Sequence, residues 1–239
     1  MIALEIAVTA PAGARVAAGA GADRVELCSA LELGGLTPSD ALVAAVAATG
    51  LPTHVLVRCR PGDFCYDADE VALMAAEVRA AVAAGASGVV VGALTTDGAL
   101  DTAAVRRFVD AAGPVEVTLH RAVDQTADPV AAAAAAYELG VRRVLTSGGA
   151  AVAADGVATI GRMVRAVPGI EVMAGGGVRP ADVARLADAG VAAVHLSAKR
   201  PAPARPGAAW VPLGAAADSA THFVTDPAVV AAADTARRR

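Results

Sequence analysis

The chain is short of lysine, aromatics and paired cysteines, and each shortage removes a class of function. Among 239 residues there is one lysine, Lys199, and the net charge is −4. With no basic stripe, the sequence excludes a nucleic-acid surface, and Arg237, Arg238 and Arg239 read as a solvated terminal triplet. Schiff-base chemistry also lacks its nucleophile, because Lys199 falls beyond the last strand of the pattern described below and has no carboxylate fixed beside it in sequence. Aromatics make up 3% of a chain that is 56% hydrophobic, so the core must be built from Ala, Val and Leu. The three cysteines at 28, 59 and 65 form neither a CxxC pair nor an even disulfide set, which points to a reducing, cytoplasmic setting. The opening run Met1–Val8 has no basic residues and is interrupted by Glu5, so it reads as a strand and not as a signal peptide. Charges and glycines break every long apolar run, and no membrane span is expected.

What the chain does have is a repeat. Gly21, Gly85, Gly140 and Gly190 each close an Ala-rich helical stretch, and each is followed four residues later by a valine: Val25, Val89, Val144 and Val194. A glycine in that place suits a helix C-cap, and the short apolar run after it suits a buried parallel strand. The intervals of 64, 55 and 50 residues each leave room for two βα units. These runs are expected to be strands 2, 4, 6 and 8. Ala3–Val8, Thr53–Arg58, Val115–His120 and Glu171–Ala174 fit between them as strands 1, 3, 5 and 7. Thr37-Pro38, Asp101, Asp128, Arg179-Pro180 and Asp226-Pro227 mark helix starts. The length is close to the roughly 250 residues typical of one (β/α)8 TIM barrel, and no GxGxxG follows strand 1 to favour an open doubly wound sheet. The fold expected is a single TIM-barrel domain over residues 1–239. Residues 200–225, rich in Pro and Ala, form either an irregular insert after strand 8 or a lid.

In such a barrel, function collects at the C-terminal ends of the strands. Alternation along each strand places Glu5 with Ala7, Glu26 with Cys28, Arg58 with Arg60, Thr118 with His120, and His195 with Ser197 on faces directed at the barrel axis. Buried charges need partners, and this set can pair internally. It is either a structural ion-pair plug or a polar active site. In the second case Glu5, Glu26 and His120 are candidates for proton transfer, with Asp124 or a strand carboxylate orienting His120. Arg58, Arg60 and Asp63, on or just after strand 3, are expected to bind the anion of a substrate. The Gly-rich turns Ser147-Gly148 after strand 6 and Gly175-Gly176-Gly177 after strand 7 could hold an anion through backbone N–H groups, with His195 and Ser197 beside them. Glu116 and Glu171 sit at strand starts and read as solvated groups of the opposite face.

Taken in order, Val25-Glu26-Leu27-Cys28, Gly34-Gly35-Leu36-Thr37-Pro38-Ser39, Gly62-Asp63-Phe64, His120-Arg121-Ala122, Arg143 to Gly149 and Met173 to Gly177 closely resemble the CutC family, the copper homeostasis proteins. The resemblance runs from about residue 4 to 198. It implies a cytoplasmic TIM barrel, a link to copper, and an assembly state from monomer to homo-oligomer. It establishes no reaction. Two positions depart from the family pattern. Where the family commonly has Glu-[Val/Ile]-Cys, this chain has Glu5-Ile6-Ala7, which removes one of two thiols implied as copper ligands. Where the family has Arg-Pro-Arg-Gly-Gly-Asp-Phe, this chain has Arg58-Cys59-Arg60-Pro61-Gly62-Asp63-Phe64, which keeps both arginines and the aspartate.

Three functions stay open on these grounds. One is a copper-handling protein that binds Cu(I) through Cys28 with Cys65 or a His, the thiols being soft ligands of the kind that ion prefers. Another is an enzyme of unassigned reaction, doing acid–base chemistry on a small phosphorylated or carboxylated substrate. The third is a non-catalytic structural or partner-binding barrel. The expected ligand is a small anion or a copper ion, and neither a nucleic acid nor a membrane.

Overall fold

The computed structural model describes residues 1–203 and 222–238. Eight parallel strands close into a ring: β1 (Ala3–Val8), β2 (Arg24–Leu27), β3 (Thr53–Leu56), β4 (Gly88–Val91), β5 (Glu116–Leu119), β6 (Arg143–Thr146), β7 (Glu171–Ala174) and β8 (Ala193–Leu196). β1 pairs with β2 on one side and β8 on the other, so no edge is left open. Seven helices follow the first seven strands: α1 (Pro11–Gly19), α2 (Asp40–Ala47), α3 (Ala68–Ala83), α4 (Thr102–Ala112), α5 (Pro129–Glu138), α6 (Val157–Ala166) and α7 (Val183–Asp188). α8 (Pro227–Arg237) packs between α7 and α1 and completes the outer layer. The expected TIM barrel is the fold observed. Among the described residues, no helix is long and apolar enough to cross a membrane.

The repeated glycines do what their spacing implied. Gly21, Gly85, Gly140 and Gly190 sit one residue past a helix C-cap with φ between +88° and +102°. After α1, α3 and α5 the turn is the same double hydrogen bond. The glycine N–H returns to Ala18, Val82 or Tyr137, and the next N–H reaches one residue further back, to Ala17, Ala81 or Ala136. Asp101, Asp128 and Asp226 accept the free N–H groups at the starts of α4, α5 and α8. Thr37 is the exception. The cap of α2 is Ser39, and the Thr37 hydroxyl instead accepts the Arg58 N–H and donates to Glu77. The side chain thus ties the β2–α2 loop to the end of β3.

Residues 200–225 begin and end in regular structure. β9 (Lys199–Pro201) pairs antiparallel with β10 (Phe223–Thr225), and the Lys199 ammonium lies 4.4 Å from the Phe223 ring centroid. The remainder of that expected insert, 204–221, lies outside the described residues.

Strand alternation splits the interior in two. Leu4, Ile6, Val25, Leu27, Val55, Val89, Val117, Val144, Val172 and Val194 join the helices in one apolar core. The axis-facing residues form separate, smaller groups, Cys28 with Leu56 and Val90, and Leu145 with Met173 and Ala193. The lower end of the lumen, at the N-terminal ends of the strands, is filled by charge. Arg143 donates to Glu116 (3.0 Å), Glu171 (2.6 Å) and Thr118 (3.3 Å), and His54 stands 3.7 Å from Glu116. Glu116 is exposed at this end, as expected, and Glu171 is half-buried, and both are tied to the buried Arg143. Arg24, His54 and Arg143 were not among the expected lumen residues, although alternation back from Glu26, Arg58 and Ser147 leads to them.

The Gly140 turn offers a clean test of the repeat. A Cβ at 140 would meet Val109 only at ordinary contact distance, so the left-handed backbone alone opposes a side chain. Gly140→Ala should cost about 1 kcal/mol, read as a fall of a few degrees in Tm with no change in ligand binding.

Candidate functional site

A cavity of about 370 Å³ opens at the C-terminal ends of the strands, within the size range of small-molecule sites. Glu26 and His195 reach it from β2 and β8, and His120 and Arg121 from the end of β5. Arg58, Phe64 and Leu31 form the loop side, and Gly176 and Gly177 the β7 turn.

At its floor, three titratable groups from neighbouring strands meet. β1 lies between β2 and β8, so Glu5 is flanked by Glu26 and His195. Glu5 is fully buried. Arg24 Nε donates to its Oε2 at 2.5 Å, and His195 Nδ1 lies 2.7 Å from its Oε1 and 3.3 Å from Glu26 Oε2. Burial alone would raise the Glu5 carboxyl, but the His195 hydrogen bond and the Arg24 charge outweigh it and hold the group well below the usual range. Burial also acts against a charged His195, and the Glu26 and Glu5 carboxylates overcome it, so its affinity for a proton is raised. Glu26 has the reverse balance. Its burial dominates, the nearby Glu5 charge adds to it, and its carboxyl is pushed up to about 7. One site therefore holds a carboxyl kept well below the usual range, an imidazole whose proton affinity is raised and a carboxyl poised at neutral pH.

The structure brings Glu5, Glu26 and His195 together, whereas the sequence set His195 among anion-binding groups and linked the carboxylates to His120. His120 stands apart from them. Its Nδ1 accepts the Ala122 N–H at 3.1 Å, and its ring lies 4.9 Å from that of Phe64. Asp124 does not orient it. That carboxylate, 2% exposed, accepts from Arg121 Nε (2.8 Å), Thr146 Oγ1 (2.5 Å), the Ser147 N–H and hydroxyl, and the Gly149 N–H. Gly148 N–H is taken by Thr146. The Ser147-Gly148-Gly149 turn is thus already occupied by an anion of the chain's own, and its expected role for an external one is filled. Asp124 instead fixes Arg121, whose Nη2 also donates to Ser147 Oγ at 2.7 Å. The guanidinium lies across the β7 turn, where a Cβ on Gly176 would come within 2.9 Å of it. Arg121 is thus a wall of the cavity.

Arg58 also lines the cavity, buried, with its donors on the carbonyls of Leu33, Gly35 and Gly62. Among the described residues no carboxylate pairs with it. Arg60 and Asp63 do not line the cavity. β3 ends at Leu56, and beyond it the chain turns, so alternation no longer sorts side chains. Arg60 pairs with Glu70 (2.5 Å) and Asp63 (3.2 Å) and donates to Cys65 O, which staples the β3–α3 loop. Gly175, too, has a packing role: a Cβ there would strike Leu145 and crowd His195. Ser197 lies in the wall beside His195.

The donor chemistry does not fit Cu(I). Cys28 faces the cavity, but burial and then the Glu26 and Glu32 charges push its thiol far up, away from the thiolate. Cys65 Sγ is turned to the Thr95 carbonyl at 3.4 Å. Position 7 lines the same cavity as Cys28 and carries only the methyl of alanine. Among the described residues, the group spaced to hold an ion is Glu5, Glu26 and His195, with ligand atoms within 4.8 Å of one another. These are oxygen and nitrogen donors suited to harder metals, and Glu5 already holds a guanidinium.

The Asp124 hub gives a direct test. Asp124→Ala should cost about 3 kcal/mol, because it orphans several buried donors at once. Asp124→Asn should not rescue it, since either orientation of the amide sets a donor against donors. Urea unfolding of the two variants would measure both.

Comparison with known proteins gives one consistent set of matches. The CutC family model matches residues 2–200. A CutC protein of Caulobacter vibrioides is 45% identical over 202 residues, covering 84% of this chain and 82% of that protein. One from Klebsiella pneumoniae is 45% identical over 199 residues, covering 83% and 81%. The crystal structure of CutC from Streptococcus agalactiae, named for copper homeostasis, superposes with a TM-score of 0.78 at 26% identity. It covers 82% of this chain and 99% of that one.

Proposed function

The chain belongs to the CutC family, and within it we propose that this barrel is an enzyme that binds a small anionic molecule at its C-terminal mouth and moves a proton on it, with Glu26 as the acid–base group. The observation that carries this reading is the Glu5–His195–Glu26 cluster at the cavity floor. A general acid–base group works best when its proton affinity lies near the working pH, and burial beside Glu5 gives Glu26 that property. Glu5 stays ionised and, with Glu26, raises the proton affinity of His195, and a proton on His195 in turn restrains the rise of Glu26. The lower lumen, closed by Arg143, Glu116 and Glu171, supports this floor from below.

The anionic character of the ligand follows from the walls. Arg58 has no carboxylate partner among the described residues, and Arg121 is held rigid by Asp124 and Ser147 over the backbone of Gly176. A buried, uncompensated guanidinium is costly until an anion arrives, and an arginine already locked in one rotamer loses little freedom on binding. The copper expectation draws no support from this donor set.

Thermal unfolding with inorganic phosphate, glycerol phosphate and small carboxylates tests the reading. A ligand at about 100 times its Kd should add about 2.7 kcal/mol of stability. Arg121→Ala should weaken binding by about tenfold or more, a loss of about 1.4 kcal/mol. Glu26→Gln should bind within a few-fold of the parent. If none of these anions raises the Tm, or if Arg121→Ala responds like the parent, the proposal is wrong.

A further inference from the structure

In a ring of eight, β5 stands opposite β1, so His120 at the end of β5 faces the Glu26–His195 side from across the cavity. It takes no part in that network. Its hydrogen bonding fixes its chemical form. Nδ1 accepts the Ala122 N–H, so the ring proton sits on Nε2. Among the described residues that Nε2 has no hydrogen-bond partner, and it is closed off from water in a residue only 5% exposed. The ring is held from three sides. Phe64 packs against it with the rings tilted by 44°, and Ala122 N–H points at it. Gly92 leaves its Cε1 edge room that a Cβ would remove, at 2.5 Å. Burial and then the Arg58 charge, which lies beyond Phe64, pull its proton affinity down to about 3, so the imidazole is neutral at neutral pH.

A lone, buried N–H donor is expensive to leave unmade. A neutral imidazole in this setting is a weak acid with a fixed direction. Such a group suits an oxygen that gains negative charge during a reaction, because it needs no reorganisation when the charge appears. On the opposite wall stands a carboxyl that can take up a proton near neutral pH, and between them Arg58 and Arg121 supply charge for an anion.

From this arrangement we infer that the substrate is a small carbonyl compound bearing one phosphate or carboxylate, and that Glu26 removes a proton from the carbon next to the carbonyl while His120 Nε2–H holds the carbonyl oxygen as it becomes an enolate oxygen. This inference rests on the acid–base reading of Glu26 given above. The step balances within the site. The Glu26 carboxylate forms the new O–H bond. The C–H electron pair becomes the C=C bond, and the C=O π pair moves onto oxygen, where the His120 N–H stabilises it. Return of the proton from Glu26 to either carbon restores the carboxylate, so no oxidant, reductant or co-reactant is consumed.

The test compares planar enolate mimics with saturated controls that carry the same anion: phosphoglycolohydroxamate against glycerol phosphate, and oxalate against lactate. Binding is measured by calorimetry, and His120 is followed by 15N NMR in the full chain. At pH 7 His120 should be neutral and protonated on Nε2. At least one planar mimic should bind about tenfold or more tightly than its control and shift the Nε2 signal. Whichever pair shows the difference identifies phosphate or carboxylate as the anion. His120→Asn keeps an acceptor for Ala122 N–H near the Nδ1 position but loses the donor, and should abolish the preference. His120→Gln, with its amide near the Nε2 position, should restore part of it. A charged His120, or one protonated on Nδ1, overturns the inference on the unmutated protein. So does binding of controls and mimics with equal affinity, with the His120 signal unmoved; in that case the anion site stands and the enolate chemistry does not. If no control or mimic binds, the anion reading fails, and this inference fails with it.

Discussion

One fully buried carboxylate organises the interior of this barrel. Glu5 sits on β1 with no exposure to water, between Arg24 Nε at 2.5 Å and His195 Nδ1 at 2.7 Å. An unpaired charge there would cost several kcal/mol, and removal of either partner from such a pair costs about 3–5 kcal/mol. The partners come from β2 and β8, the two strands that flank β1, so the ion pairs also fasten the seam where the first and last strands of the ring meet. The Glu26 and Glu5 carboxylates together raise the proton affinity of His195 against the effect of its burial. Because Glu5 and burial both act on Glu26, its proton affinity rises to the neutral range while its neighbour's falls. Two carboxylates on adjacent strands are thereby driven apart into different states, the pattern from which acid–base roles follow.

The same division runs through the whole lumen. Below Glu5, Arg24, His54, Arg143, Glu116 and Glu171 line the axis with a chain of ion pairs that ends in the exposed Glu116. Above it, the lumen opens into a space walled by Arg58, Phe64, His120 and Arg121. A plug and a polar site were competing explanations for charge inside the barrel. The structure holds the plug below, and the proposed site lies above it.

The fold was legible in the sequence because its signals are local. A glycine one residue past a helix end and a valine four residues on recur where backbone geometry demands them, and β1 and β7 run over the residues their patterns implied. The site was legible only as far as strand periodicity extends. Glu26, His120 and His195 follow from alternation. Arg60 and Asp63 do not, because the chain turns after Leu56 and Arg60 is captured by Glu70 on the next helix. Asp124 was the hardest to place. Its neighbours in sequence suggested a partner for His120, whereas, apart from Arg121, its actual partners lie 22 to 25 residues away in the β6 turn, contacts that no local pattern carries. The missing thiol at position 7 was visible in the sequence, and the structure adds that Cys28 and Cys65 face different surroundings.

The account depends on where protons reside in the Glu5–His195–Glu26 cluster, and a site-resolved 13C titration of the two carboxyl groups reads this directly. The expected result is a Glu26 midpoint near 7 with Glu5 ionised to the lowest pH at which the chain stays folded. In His195→Gln the Glu26 midpoint should move further up, since the imidazolium that restrains it is gone. A Glu26 midpoint in the ordinary carboxylate range, near 4.5, unmoved by loss of His195, would contradict the account.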